Sequence, residues 1–185
     1  MAEKKIVPAD PELVGKKIYL RPITPDDMAS VHHWRVLSSF QTLSCRPTLF
    51  MTPAEAAERF KKSDEKHPYN QRFAVVRIED NLLVGNIHVF DHNPLNRSVE
   101  LGAIIDPDYQ HKGYATEALH LVTRYLFRHR GLNKVHAQTA AFNRNAIKLL
   151  EGLGFKRDAV LRDHYFHNGE FHVGYIFSLL QFEFE

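Results

Sequence analysis

The chain has 185 residues, 44% of them hydrophobic and 25% charged, with a formal net charge of +2. This is ordinary composition for one compact domain with a real core, and so small a charge does not by itself point to nucleic acid. A single cysteine, Cys45, excludes an internal disulfide framework, and no apolar run is long enough to span a bilayer.

Residues 1–16 read as a loose tail, with Pro8 and Pro11 interrupting regular structure. The segment Met1 to Asp10 lacks an apolar core of signal-peptide length. The expectation is a soluble, cytoplasmic protein with no membrane partner, and one domain over residues 17–185.

Lys17 to Ile23 reads as the first strand. Thr24-Pro25-Asp26-Asp27 is a helix start: a capping hydroxyl, proline in the first turn, then acids at the positive end of the dipole. Met28, Val31 and Trp34 would line the buried face of that helix. Thr52-Pro53-Ala54-Glu55 repeats the device, with Glu55 placed for a capping box. Ser39 to Met51, between the two helices, shows no periodicity and reads as a loop. Arg72 to Glu79 and Leu82 to Asp91 are β-rich runs joined by Asp80-Asn81, a hairpin signal. Ser98 to Asp106 is the next strand, with Val99, Leu101, Ala103 and Ile105 on one face.

The helix predicted over Tyr114 to His129 carries Ala115, Ala118, Leu119, Val122 and Leu126 on one stripe. Gly131 stops it. Lys134 to Ala140 is a strand. Asn143 can cap a helix bearing Ala146, Leu149, Leu150 and Leu153, which Gly154 ends. Phe155 to His167 and Glu170 to Leu180 flank Asn168-Gly169, a strong hairpin turn signal. A two-residue turn there would set His167 opposite Glu170, Phe166 opposite Phe171 and Tyr165 opposite His172. The order is strand, two helices, three strands, helix, strand, helix, two strands. It predicts an α/β (α+β) fold: a mixed, mainly antiparallel sheet of about seven strands flanked by about four helices. The helix between the strand before Gln110 and the strand after Gly131 makes those two strands parallel neighbours.

The most informative run is Gln110-His111-Lys112-Gly113-Tyr114-Ala115, between a strand and a helix start. The first amides of a helix lack intrahelical partners and lie at the positive end of its dipole. Gly113 has no Cβ, so an anion can approach its N–H and positive φ costs little. Lys112 adds a charge. The reading is a phosphate cradle for a diphosphate-bearing ligand, formed by the amides of His111 to Thr116. One glycine alone makes no dinucleotide fingerprint, and no Gly-Lys-Ser/Thr follows. The bland alternative is an ordinary strand–helix turn.

The chain resembles the GNAT superfamily of acetyl-coenzyme A-dependent N-acetyltransferases, in its ribosomal-protein N-terminal and spermidine acetyltransferase branch. The likeness rests on Glu100-Leu101-Gly102, on Asp106 to Ala118 through the glycine loop, on Asn143 with Leu150-Glu151-Gly152-Leu153-Gly154-Phe155, and on Leu161-Arg162-Asp163 before Asn168-Gly169. It covers about Lys17 to Leu180.

The resemblance implies acetyl-CoA as co-substrate, with its diphosphate held by Gln110, His111, Lys112, Gly113, Tyr114, Ala115 and Thr116. Its pantetheine arm would pair with the edge around Ile104 and Ile105. Asn143 would touch the cofactor, cap its helix, or do both. The acceptor would be a primary amine, either a protein N-terminus or a small molecule. No metal and no nucleic acid are implied, and a homodimer stays open.

Acetyl transfer needs a base for the amine, a donor for the oxyanion and a route for the thiolate. Glu100 is the base candidate, against the plain alternative of an exposed strand residue. Many relatives carry a serine three residues after the asparagine, or a tyrosine seven after it. Ala146 and Leu150 stand at those positions here and cannot donate a proton. Tyr165 is the candidate acid, with His164 beside it; sheet packing is the other reading of Tyr165. A non-catalytic acyl-CoA-binding module is therefore the alternative function. Cys45, without an assigned base, is expected to be inert. His164, His167 and His172 match no standard metal spacing.

Overall fold

The computed structural model describes residues 11–36, 51–67 and 69–184. Cys45, residues 1–10 and nearly all of the Ser39 to Met51 loop lie outside them. One sheet of seven strands organises the chain: β1 (Ile18–Pro22), β2 (Gln71–Arg77), β3 (Leu83–Asn93), β4 (Ser98–Ile105), β5 (Lys134–Ala140), β6 (Lys156–His167) and β7 (Glu170–Leu180). Their order across the sheet is β1-β2-β3-β4-β5-β7-β6. Every pairing is antiparallel except β4 with β5. The α-helices among the described residues are α1 (Met28–Val36), α2 (Pro53–Lys66), α3 (Tyr114–Arg128) and α4 (Arg144–Gly152).

The apolar alternation divides the sheet into two faces. Ile18, Leu20, Val75, Ile87, Val89, Val99 and Val135 form the main core with Ala118, Leu119, Val122 and Leu126 of α3. Ile104 points the other way and packs with Val31 and Trp34 of α1. Burying side chains of this size contributes roughly 1.5–3 kcal/mol each, so α3 is held by its apolar stripe rather than by propensity.

Both helix starts are built as their sequences predict. At the second, the Thr52 N–H and hydroxyl donate to Glu55, and Thr52 Oγ1 accepts from the Glu55 N–H. At the first, Pro25–Asp27 forms a 3-10 turn before α1. Asp27 accepts from the Thr24 N–H at 2.7 Å and from both Arg21 guanidinium nitrogens at 2.6 and 2.8 Å. Burial alone would raise the Asp27 carboxyl. Arg21 and Thr24 more than offset this and hold it below the usual carboxylate range.

Asp27→Ala therefore strands a partly buried guanidinium and removes a cap. A loss of about 2–3 kcal/mol in urea unfolding is expected. With a depressed folded pKa, this contribution is complete above the unfolded carboxylate value and is lost as pH falls through the folded one. The stability difference between wild type and Asp27→Ala should therefore shrink in acid; a difference independent of pH would contradict the pairing.

The last hairpin has the register its turn dictates: His167↔Glu170, Phe166↔Phe171 and Tyr165↔His172. Asn168 and Gly169 both take positive φ, 50° and 84°, as a two-residue turn of this hand requires. The rings of Phe166 and Phe171 meet edge to face at 5.2 Å.

Two sequence expectations change. Residues 11–16 were expected in a loose tail, but Pro11–Leu13 forms a 3-10 turn with Leu13 buried, and Val14 bridges Tyr19. Arg124 of α3 holds this turn through Glu12. Ala103 was expected on the buried face, yet it is exposed. The cause is local: β4 and β5 pair only over Ser98–Glu100 and Lys134–His136, so no β5 residue pairs beside Ala103.

Candidate active site

The parting of β4 and β5 creates the cleft on which the site is built. Which backbone groups it exposes follows from the ladder. The Asp106 N–H donates to the Val84 carbonyl at 3.0 Å, and Ile105 stands opposite Gly85. In an antiparallel ladder the bonded direction alternates. Residues 102 and 104 therefore bond to β3, and residues 103 and 105 turn their N–H and C=O groups toward the cleft. The sequence expectation named Ile104 with Ile105; the Ile104 backbone faces β3 and its side chain is buried against α1. Ala103 and Ile105 supply the open edge.

Gln110 closes the end of that edge, donating from Nε2 to the Ile105 carbonyl at 3.1 Å. The loop then turns through two left-handed residues, His111 at φ 59° and Gly113 at φ 85°. The first α3 bond runs from the Glu117 N–H to the Gly113 carbonyl. The amides of Tyr114, Ala115 and Thr116 thus have no acceptor inside the helix, and they sit at the positive end of its dipole. These features fit a diphosphate: free amides, exposed loop residues 110–113, and a glycine where a side chain would intrude.

The cations around the loop are placed differently from the sequence reading. Lys112 Nζ turns back, donating to the Asp108 carbonyl at 3.1 Å and lying 4.7 Å from the centre of the Tyr109 ring. Lys17, which sequence reasoning missed, lies over the loop. Its Nζ donates to the Lys112 carbonyl at 3.0 Å and sits 3.6 Å from where a Gly113 Cβ would be. Glu117 accepts from the backbone N–H groups of Lys16 and Lys17, tying the start of β1 to α3. Asn143 caps α4, its side-chain carbonyl accepting from the Ala146 N–H at 3.2 Å. Its amide NH2 remains the group that can face a cofactor.

Glu100 stands on the last rung at which β4 and β5 still pair, opposite His136. Its Oε2 lies 3.8 Å from His136 Nε2, and both side chains are about one-fifth exposed, at 20%. One ligand-type atom from each of Asp91, Glu100 and His136 falls within 4.8 Å of the others. Burial pushes the His136 imidazole below its ordinary value; Asp91 opposes this, Lys134 adds to it, and Asp158 opposes it. Sequence reasoning missed His136, because only the parallel register shows that it faces Glu100.

Tyr165 comes in from the other side of the cleft. Its hydroxyl donates to Gln138 Oε1 at 3.4 Å. Gln138 is two residues beyond His136 on β5, so it shares the His136 face about 7 Å further along the strand. A Cβ on Gly174 would sit 3.0 Å from both Tyr165 Cε2 and His164 Cδ2, so the missing side chain there lets this pair lie flat on β7. His167 and His172 flank the Phe142 ring at 5.1 and 5.0 Å and act as packing. Among the described residues, none of the three hairpin histidines joins a group of three metal-ligating side chains.

The comparisons agree with this geometry. The acetyltransferase (GNAT) domain family matches residues 17–156. A prophage-derived uncharacterized N-acetyltransferase of Bacillus subtilis is 27% identical over 172 residues, 92% of this chain and 94% of that protein. The spermidine N(1)-acetyltransferase of Escherichia coli K12 is 29% identical over 155 residues, 83% of this chain and 81% of that protein. The fold also matches the crystal structure of a Vibrio cholerae spermidine N-acetyltransferase in complex with CoA and spermine. The TM-score is 0.80, at 24% identity, over 90% of this chain and 97% of that one. The comparisons give the non-catalytic alternative no support. A cleft with unpaired helix-start amides and a carboxylate beside an open strand edge, together with the family match over most of the chain, identifies this chain as a member of the GNAT family, an acetyl-CoA-dependent N-acetyltransferase.

Proposed function

We propose that the protein acetylates a primary amine, on a peptide N-terminus or a small molecule, by direct attack on acetyl-CoA in a ternary complex. The observation that carries this reading is the placement of Glu100: it stands on the last paired rung, immediately before the edge where Ala103 and Ile105 turn their backbone groups into the cleft. The co-substrate supplies an activated thioester. Glu100 takes the proton of the incoming ammonium, and the Ile105 N–H is the candidate donor to the oxyanion. Tyr165, held on Gln138 across the cleft, is the candidate proton source for the departing thiolate.

The relatives named for spermidine favour a polyamine acceptor. Against it, residues 39–51 of the segment joining α1 and α2 contain no aspartate or glutamate and do contain Arg46. A multiply charged polyamine needs several carboxylates to offset its desolvation. A panel of an N-terminal peptide, an amino sugar and spermidine is expected to give acetyl-CoA-dependent amide formation with at least one of them, and the best kcat/KM assigns the acceptor. Turnover of none of the three would overturn the primary-amine reading.

The Vibrio cholerae spermidine N-acetyltransferase forms a dodecamer. For this chain the reading is a homo-oligomer, with the edge strand β6 and its exposed Val160 as one contact surface. Among the described residues no helix is long and apolar enough to cross a membrane. The reading places the enzyme in the cytoplasm.

A further inference from the structure

We propose that His136 is the proton outlet of Glu100: a positioning and relay residue that receives the proton Glu100 takes from the amine and passes it to solvent. The proposal rests on the reading of Glu100 as the base. Its ground is geometric. A base that keeps the proton of one acceptor cannot serve the next, so it needs a second group within reach that leads outward. His136 Nε2 is 3.8 Å from Glu100 Oε2, and the two are opposite one another in the parallel register.

The groups behind His136 lead to the surface. From β3 the exposed Asp91 joins the pair. From β7 Ser178 stands opposite His136. Ser178 Oγ donates to Asp158 on β6 at 2.7 Å, and Asp158 pairs with Lys134 at 2.5 Å. Among the described residues, Asp91, Glu100, Lys134 and Asp158 are the charged groups set about His136 from β3, β4, β5 and β6. The depressed pKa of the imidazole keeps it neutral near pH 7 and able to accept a proton. The step balances: R–NH3+ loses a proton to the Glu100 carboxylate, the carboxylic acid passes it to His136 Nε2 through one water across the 3.8 Å gap, and the imidazolium loses it to water.

The test has a kinetic and an acceptor-free part. His136→Ala should lower kcat about ten-fold or more, leave coenzyme A affinity unchanged, and regain rate in imidazole buffer in proportion to the neutral imidazole present. Glu100→Gln should be slow and gain nothing from imidazole. By NMR, the His136 ring in wild type should titrate above its value in Glu100→Gln, because a neighbouring carboxylate favours the imidazolium. Unchanged kcat in His136→Ala, or a loss that imidazole does not repair, overturns the relay alone. An unshifted ring titration also overturns it, even if no acceptor has been found. Near-normal turnover in Glu100→Gln, with the ring coupling intact, instead overturns the reading of Glu100 as the base.

Discussion

Gly113→Val is expected to abolish coenzyme A binding while leaving a folded protein. Gly113 sits at φ +85°, immediately before the first residue of α3. A β-branched residue there costs about 1–2 kcal/mol of backbone strain, which a domain of this size survives. Within the protein, the atom nearest an added Cβ is Lys17 Nζ at 3.6 Å, the far end of a flexible side chain. The free fold therefore has room for the side chain, and the diphosphate does not. Calorimetry should show no measurable coenzyme A binding in Gly113→Val and an intermediate loss in Gly113→Ala. Lys112→Ala should have the smaller effect, because Lys112 Nζ is engaged with Asp108 and Tyr109. Lys17→Ala removes the ammonium that lies over the loop and should weaken binding more than Lys112→Ala does. Unchanged affinity in Gly113→Val would mean that the loop is only a turn.

Glu100→Gln should lower turnover by about 10²–10⁴-fold, the usual range for loss of a general base. The glutamine keeps the volume and a polar contact with His136 but cannot take a proton. Coenzyme A affinity should survive, since the cradle lies beyond the other end of β4. The wild-type rate should rise with pH as the base and the acceptor amine lose protons. In the variant that limb should follow the amine alone. Near-normal turnover would return Glu100 to the status of an ordinary partly buried strand residue.

The two hairpins, both helix starts and the β5 boundaries were legible in the sequence, because each rests on local chemistry. Asn168-Gly169 fixes a turn whose hand and length set the register. Thr52 and Glu55 satisfy each other's hydrogen bonds within one turn. The parallel pair β4–β5 follows from a crossover helix. What was not legible depends on groups far apart in sequence. Whether Ile104 or Ile105 faces the cleft is decided by the phase of the β3–β4 ladder, which the β4 sequence alone does not contain. Lys17 reaches the loop before α3 only because β1 packs beside that helix. His136 matters because of the residue opposite it. Residues 11–16 look like a tail because their three anchors, Leu13, Val14 and Glu12, are spaced by neither helix nor strand period. The acid was the least legible part: Ala146 and Leu150 remove the family's usual donors, and the β6 sequence does not separate a Tyr165 acid from sheet packing.

The central claim is direct transfer from bound acetyl-CoA to a bound amine in one ternary complex. Initial rates measured over a grid of acetyl-CoA and acceptor concentrations, with the product identified by mass spectrometry, test it most directly. Intersecting reciprocal plots, an amide formed in step with free coenzyme A, and full activity in Cys45→Ala are the expected results. Parallel plots with an acetyl group trapped on Cys45, or coenzyme A released without amide, would contradict the account.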